Sequence, residues 1–195
     1  MTAAVGRSQG GRPVSAETER FQVRSLTAKD ATSIFRTWIA NPALMGALNM
    51  PPRRFSAQEL ERFIGSYDNS NRYLVGIFDK HKNDLIGIFM LEVNPVHALV
   101  KTSGFLGDRN WWGKSVFEEV GTALFDDFFK NRGIEKATAQ VWEKNFAVLA
   151  PLRRLGFQVE GYLRNEIRSH DGSGRRNQFI LGLLASDWKP YTHEH

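Results

Sequence analysis

The feature that most limits what this chain can fold into is the succession of patterns between residues 97 and 157. A strand-like run, "HALVKTSGFLG" (97–107), precedes a helical pattern, "KSVFEEVGTALFDDFFKNR" (114–132). A second strand-like run, "KATAQVW" (136–142), follows. In the middle segment Phe117, Val120, Leu124 and Phe128 recur at helical spacing, with Glu118, Thr122 and Asp126 on the other side. Lys130, Arg132 and Gly133 form a C-terminal helix signal. Strand, helix and strand in this order predict a crossover between two parallel strands. Asn145 then caps a second helix that ends at Leu155, with Gly156 beyond it.

The rest of the chain reads as strands and short helices. "FQVRSLT" (21–27) has strand character, and "DATSIFRTWIAN" (30–41) has helical spacing with Asp30 as N-cap. Residues 41–54 are turn-rich, and Ser56 with Glu59 makes a capping-box spacing for a helix over 56–67. Residues 72–79 and 84–93 are strands around "KHKN". Residues 157–169 and 176–186 are strands around "HDGSG". With no internal repeat and no long linker, one mixed α/β (α+β) domain is expected over residues 19–190. A flexible tail rich in Gly, Ser and Ala is expected over residues 1–18.

Composition removes several function classes. There is no cysteine, which excludes a disulfide framework, a thiolate zinc site and a cysteine nucleophile. No window has the apolar length needed to cross a bilayer, and the first residues lack the apolar core of a secretory signal. A cytoplasmic, membrane-free protein is expected. The formal charge of +5 suits an anionic partner, although plain solubility explains it as well.

The stretch "RNWWGKS" (109–115) sits where the long helix begins. A helix N-terminus presents unpaired N–H groups and the positive end of a dipole, so it is an anion site. Gly113 would let an anion approach the backbone, Ser115 is small with a hydroxyl, and Lys114 adds charge. It is neither a Walker loop nor a dinucleotide fingerprint. Taken alone, such a stretch is more often a plain turn, with Trp111 and Trp112 as packing residues.

"GFLGDRNWWGKSVFEEVGTALFDDFF" followed by "KATAQVWEKNFAVLAPLRRLGF" resembles the GNAT superfamily of N-acetyltransferases, in the branch that acetylates ribosomal-protein N-termini and other amines. That family's phosphate loop, Gln or Arg, two residues, Gly, one residue, Gly or Ala, falls on Asn110, Gly113 and Ser115. Its second pattern, an Asn and the Phe of Leu-Gly-Phe, falls on Asn145 and Phe157. The closing run 160–188 also looks like that branch's final hairpin.

The resemblance implies a mostly antiparallel seven-stranded sheet with a central V-shaped splay, flanked by about four helices, and acetyl-CoA as co-substrate with no metal. Phe105, Leu106 and Gly107 would bond the pantetheine like an added strand. The turn of Asn110, Trp111, Trp112, Gly113, Lys114, Ser115 and Val116 would hold the pyrophosphate, and Asn145 the pantetheine arm. The function implied is transfer of an acetyl group to a primary amine, on a protein N-terminus or a small molecule, by direct attack in a ternary complex. The family's usual acid and base positions hold Leu152 and Gln140, which do neither task, so Glu92, His97 and Glu143 are candidates by residue type alone. Trp38, Arg53, Arg54, Tyr67 and Tyr162 are candidates for the acceptor pocket. Two other readings stay open, a non-catalytic acyl-CoA-binding module and an RNA- or ribosome-associated basic protein. Nucleic acid ranks last, since no RNA-recognition signature is present. The resemblance also allows a homodimer.

Overall fold

The computed structural model describes residues 11–191. Eight strands form one sheet: β1 (Ser15–Glu17), β2 (Phe21–Ser25), β3 (Arg72–Asp79), β4 (Leu85–Asn94), β5 (Leu99–Leu106), β6 (Lys136–Trp142), β7 (Gln158–Arg168) and β8 (Arg175–Leu184). Their order across the sheet is β1-β2-β3-β4-β5-β6-β8-β7. Every neighbouring pair is antiparallel except β5 and β6, which run parallel. Five helices accompany them: α1 (Ser33–Ala40), α2 (Pro42–Ala47), α3 (Ala57–Gly65), α4 (Val116–Asn131) and α5 (Phe146–Arg154). The expected crossover is α4, between β5 and β6.

The sheet is buried on both faces, and the residue alternation shows how. Along β3, Tyr73, Val75 and Ile77 join α4 and α5 in one core, whereas Leu74 and Phe78 join α1, α2 and α3 in another. Along β4 the alternation breaks, because Ile86 and Phe89 share one core while Leu85 and Ile88 share the other. The pairing of β3 with β4 shifts between Ile77 and Phe78, and that bulge turns the side chains over. Phe125 on α4 is fully buried and touches Phe157 and Trp188 edge to face. Truncating such a ring costs about 3–5 kcal/mol.

Three expectations need correction. Of the tail expected over 1–18, residues 11–18 are described and are not loose: Val14 is buried in the core and β1 pairs with β2, while residues 1–10 lie outside the described residues. β1 brings the strand count to eight. The turn-rich segment after Asn41 contains α2, started by Pro42 at the first position and by the Asn41 side chain accepting from Ala43 and Leu44, so the helices number five. Asp30 does not cap α1. Thr32 does, and Asp30 instead closes a preceding 3-10 turn, taking two hydrogen bonds from Arg24 and two from Thr27. The Ser56–Glu59 capping box forms as expected.

Candidate active site

The parallel strands β5 and β6 pair only at their beginnings, Leu99 to Lys101 against Lys136 to Thr138. Beyond that point β5 stays with β4 and β6 stays with β8, so a V opens between them. A cavity of about 160 Å³ fills the V. Thr102, Ser103 and Gly104 line one arm, and Ala139, Gln140 and Val141 the other. It reaches both faces of the sheet, with Phe117, Leu152 and Leu155 on the α4–α5 side and Leu48, Met50 and Met90 on the α1–α3 side. Among the described residues lining it there is no acidic, basic, histidine or tyrosine side chain. Among the described residues lining it, the one buried side-chain donor without a partner is the Thr102 hydroxyl.

A second cavity of about 420 Å³ adjoins the first, sharing Gly104, Phe117, Asn145 and Val148 as walls. It runs under the first turn of α4. Gly113 has φ of +71° and Ser115 has φ of +52°, so the turn into α4 uses two left-handed residues. A Cβ on Gly113 would meet nothing within 4 Å, so its open side faces free space. The Ser115 hydroxyl makes no cap to the helix and stays available at the cavity wall. Lys114 and Arg109 also line it, each over a tryptophan, Trp111 at 5.3 Å and Trp112 at 5.3 Å. A phosphate-bearing ligand therefore fits: open backbone amides, a helix dipole and two cations converge.

The remaining members of the expected cofactor site divide. Phe105, Leu106, Trp111, Trp112, Val116 and Asn145 line the second cavity. Gly107 and Asn110 do not. The Gly107 N–H is taken by Ile86 O, and a Cβ there would strike the Trp38 indole at 2.0 Å, so this glycine exists to pack against α1. Asn110 is an exposed residue whose N–H bonds the Asp108 carboxylate. The Leu106 carbonyl already accepts from the Trp112 indole at 3.1 Å. The splayed edge open to an added strand is thus shorter than expected and ends before Gly107. Asn145 occupies the N-cap position of α5, but its side chain makes no cap hydrogen bond and faces both cavities.

Glu118 and Arg154 belong to the site and were not singled out from the sequence. Glu118 is 1% exposed and lines the second cavity, although it lies off the apolar stripe of the helix. The Arg154 guanidinium, from the last turn of α5, binds its carboxylate through Nε at 2.6 Å and also through Nη2. Their positions in a first and a last helical turn were the only available sign.

None of the three acid–base candidates lines either cavity. Glu92 and His97 are exposed, and His97 lies in the turn before β5, whose stretch from Leu99 to Gly104 spans about 17 Å of strand. Glu143 bonds the Tyr162 hydroxyl and the Asn177 amide. That pairing holds the Glu143 carboxyl below its usual range and raises the Tyr162 phenol. Of the acceptor candidates, Trp38 is core, packed on Phe105, and Tyr67 packs on Phe63 with Arg72 over its ring. Tyr162 lies with Glu143, away from the V. Arg53 and Arg54 are exposed on the loop after α2. Earlier in the same loop, Asn49 and Met50 do reach the first cavity.

Comparison with known proteins decides the family. The model of the acetyltransferase (GNAT) domain matches residues 20–158. The chain belongs to the GNAT acetyltransferase family. As an N-acetyltransferase of this family it is 26% identical over 153 residues to "Uncharacterized N-acetyltransferase p20" of Bacillus licheniformis, across 76% of this chain and 84% of that one. It is 25% identical over 126 residues to the ribosomal protein uS5-alanine N-acetyltransferase of Escherichia coli, across 64% of this chain and 63% of that one. The spermidine N-acetyltransferase of Vibrio cholerae, solved with CoA and spermine, superposes with a TM-score of 0.75 at 20% identity, across 86% of this chain and 97% of that one. Among the described residues of this GNAT protein no group of acidic, histidine or cysteine side chains could hold a metal ion, and no helix is long and apolar enough to cross a membrane.

Proposed function

We propose that the protein transfers an acetyl group from acetyl-CoA to a primary amine by direct attack within a ternary complex. The observation that carries this is the continuity of two spaces: the cavity under the α4 N-terminus, suited to phosphate, shares walls with the cavity through the V. Bound acetyl-CoA would supply an activated acyl carbon at the V. The amides of the turn at Gly113 and Ser115, with Lys114, Arg109 and Arg154, would hold its phosphates. Asn145 and Thr102 offer polar side chains to the arm that reaches the V.

The chain then has three tasks. The apolar walls exclude water and orient the two reactants. Backbone N–H groups left unpaired at the splay polarise the acyl oxygen. The amine must present a free lone pair, and no ionisable side chain lines the V to take its proton. The proton therefore leaves through water before or during attack. With no cysteine in the chain, no acyl-thiol enzyme stage interrupts this route.

Two of the relatives named above act, by their names, on an alanine of a ribosomal protein and on spermidine, amine acceptors in the same reaction class. The test is calorimetric titration with acetyl-CoA and with CoA, repeated on Gly113→Asp, followed by thiol release with a panel of amines. Micromolar binding lost in the variant supports the reading. A wild-type protein that binds neither ligand overturns it.

A further inference from the structure

Around the V, one cation has a buried donor with no hydrogen-bond partner among the described residues. Arg176 lies on β8 in register with Ile167 of β7, and both Ile167 and its same-face neighbour Gln178 line the cavity through the V. Its guanidinium lies over the indole of Trp142, 4.3 Å from the ring centroid, and Trp142 also lines that cavity. The side chain is only 14% exposed. Nη2 sits 3.6 Å from the Asp171 carboxylate, a long contact to a half-exposed group. Nη1 is buried and has no hydrogen-bond partner among the described residues. A buried guanidinium nitrogen without a partner is unfavourable in the free protein and is met by an oxyanion in two-point geometry.

The surroundings favour the same chemistry. Asn49 stitches the loop after α2 to the final hairpin, donating to Arg168 O at 2.8 Å and accepting from His170 N–H at 2.9 Å. That loop carries Arg53 and Arg54 a few residues on, both exposed, and the hairpin adds Arg168. The rim on this side of the sheet therefore carries three exposed arginines, with the Glu166 and Asp171 carboxylates on the same hairpin.

We propose that Arg176, which borders the V cavity against Trp142 without lining it, is an anion contact at the rim of the acceptor pocket, and that the acceptor amine carries a second, anionic group, a carboxylate or a phosphate ester. The proposal rests on the acetyl-transfer reading above and names the substrate class of that site. Trp142 lies two residues beyond Gln140 on β6, about 7 Å along the strand. The oxyanion is thus several bonds from the reacting nitrogen, farther than the α-carboxylate of a single amino acid reaches. A linear polycation lacks the group altogether.

The test uses matched probes on the CoA-saturated protein: glucosamine 6-phosphate against glucosamine, and Ala-Glu amide against Ala-Gln amide. At least one anionic probe should bind about tenfold tighter than its neutral counterpart, and which one does so identifies the oxyanion. Arg176→Gln should abolish that difference while leaving CoA binding unchanged. Arg176→Lys, which keeps the charge and covers a Gln variant that fails to fold, should weaken the anionic probe severalfold and spare the neutral one. No advantage for either anionic probe, an advantage that survives in Arg176→Gln, or equal weakening of both probes in Arg176→Lys overturns the proposal. Failure of CoA itself to bind is read in the first titration and refutes the acetyl-transfer reading instead; the probe comparison is then run without CoA.

Discussion

The carboxylate of Glu118, buried in the first turn of α4, is held by the guanidinium of Arg154 at the end of α5. The pair joins the two helices that flank the cofactor cavity. It also places an anion beside helix amides that would serve the phosphates, and the half-exposed Arg154 neutralises it. Arg154→Met removes that cation and leaves Glu118 buried. Loss of one partner of a buried pair costs about 3–5 kcal/mol, and the exposure of Arg154 brings the expectation down to about 2–3 kcal/mol. Acetyl-CoA should bind at least tenfold more weakly to the folded variant. Urea unfolding and calorimetry read the two effects separately, and unchanged CoA affinity would mean that the pair serves only to dock α5 on α4.

The crossover was legible because its signals are local. The apolar stripe of α4, the breaks at Gly133 and Gly156 and the apolar runs of β3 and β4 on either side of residues 80–83 need no distant partner to be seen. β1 was not, because three residues with one half-buried side chain carry no period. Glu118 was read only as lying off the apolar stripe, because only the return of the chain through α5 brings the cation that lets it be buried. The same holds for Glu143 and Tyr162, each reasonable alone, which the β6–β8–β7 arrangement brings together outside the V. Gly107 belongs to the pattern of a cofactor strand, yet the nearness of Trp38 gives it a packing role.

The ion pair of Arg24 and Asp30 predicts an acid limit on stability. Desolvation alone would raise the Asp30 pKa, but hydrogen bonds from Arg24 and Thr27, with the Arg24 charge, outweigh it and hold the carboxyl below its usual value. The folded form therefore prefers the ionised carboxylate. Its contribution is fully present above the ordinary aspartate range and is lost as pH falls through the lowered folded value. Asp30→Asn should cost about 1–3 kcal/mol at pH 7. It should also flatten the fall in stability below about pH 4. Denaturant titrations at several pH values check both, and a variant with the wild-type acid profile would assign the acid limit to other carboxylates.

Thr102 separates the needs of the free protein from those of the complex. Its hydroxyl is buried at the V with no partner. Thr102→Val keeps the shape and removes the unsatisfied group, so the free protein should gain about 1 kcal/mol of stability. If that hydroxyl bonds the arm of acetyl-CoA, the same variant should bind it about fivefold to tenfold more weakly. Thermal unfolding with and without acetyl-CoA shows both in one experiment: a higher midpoint without ligand and a smaller ligand-induced rise. A rise equal to that of the wild type would remove Thr102 from the cofactor contacts.

The V's lack of ionisable side chains predicts the pH dependence of turnover. An enzyme with a dedicated base shows a kcat/KM that levels off above the pKa of that group. Here no carboxylate, imidazole, ammonium or phenol lines the cavity, so deprotonation of the amine belongs to the acceptor and to water. log(kcat/KM) should rise with a slope near one as pH increases and level off only at the pKa of the acceptor's own ammonium. Two acceptors whose ammonium pKa values differ by about two units should then level off about two units apart. A plateau at one fixed pH for both would place a general base at the V that lies outside the side chains lining it, and Glu92→Gln and His97→Ala would be the next variants to assay.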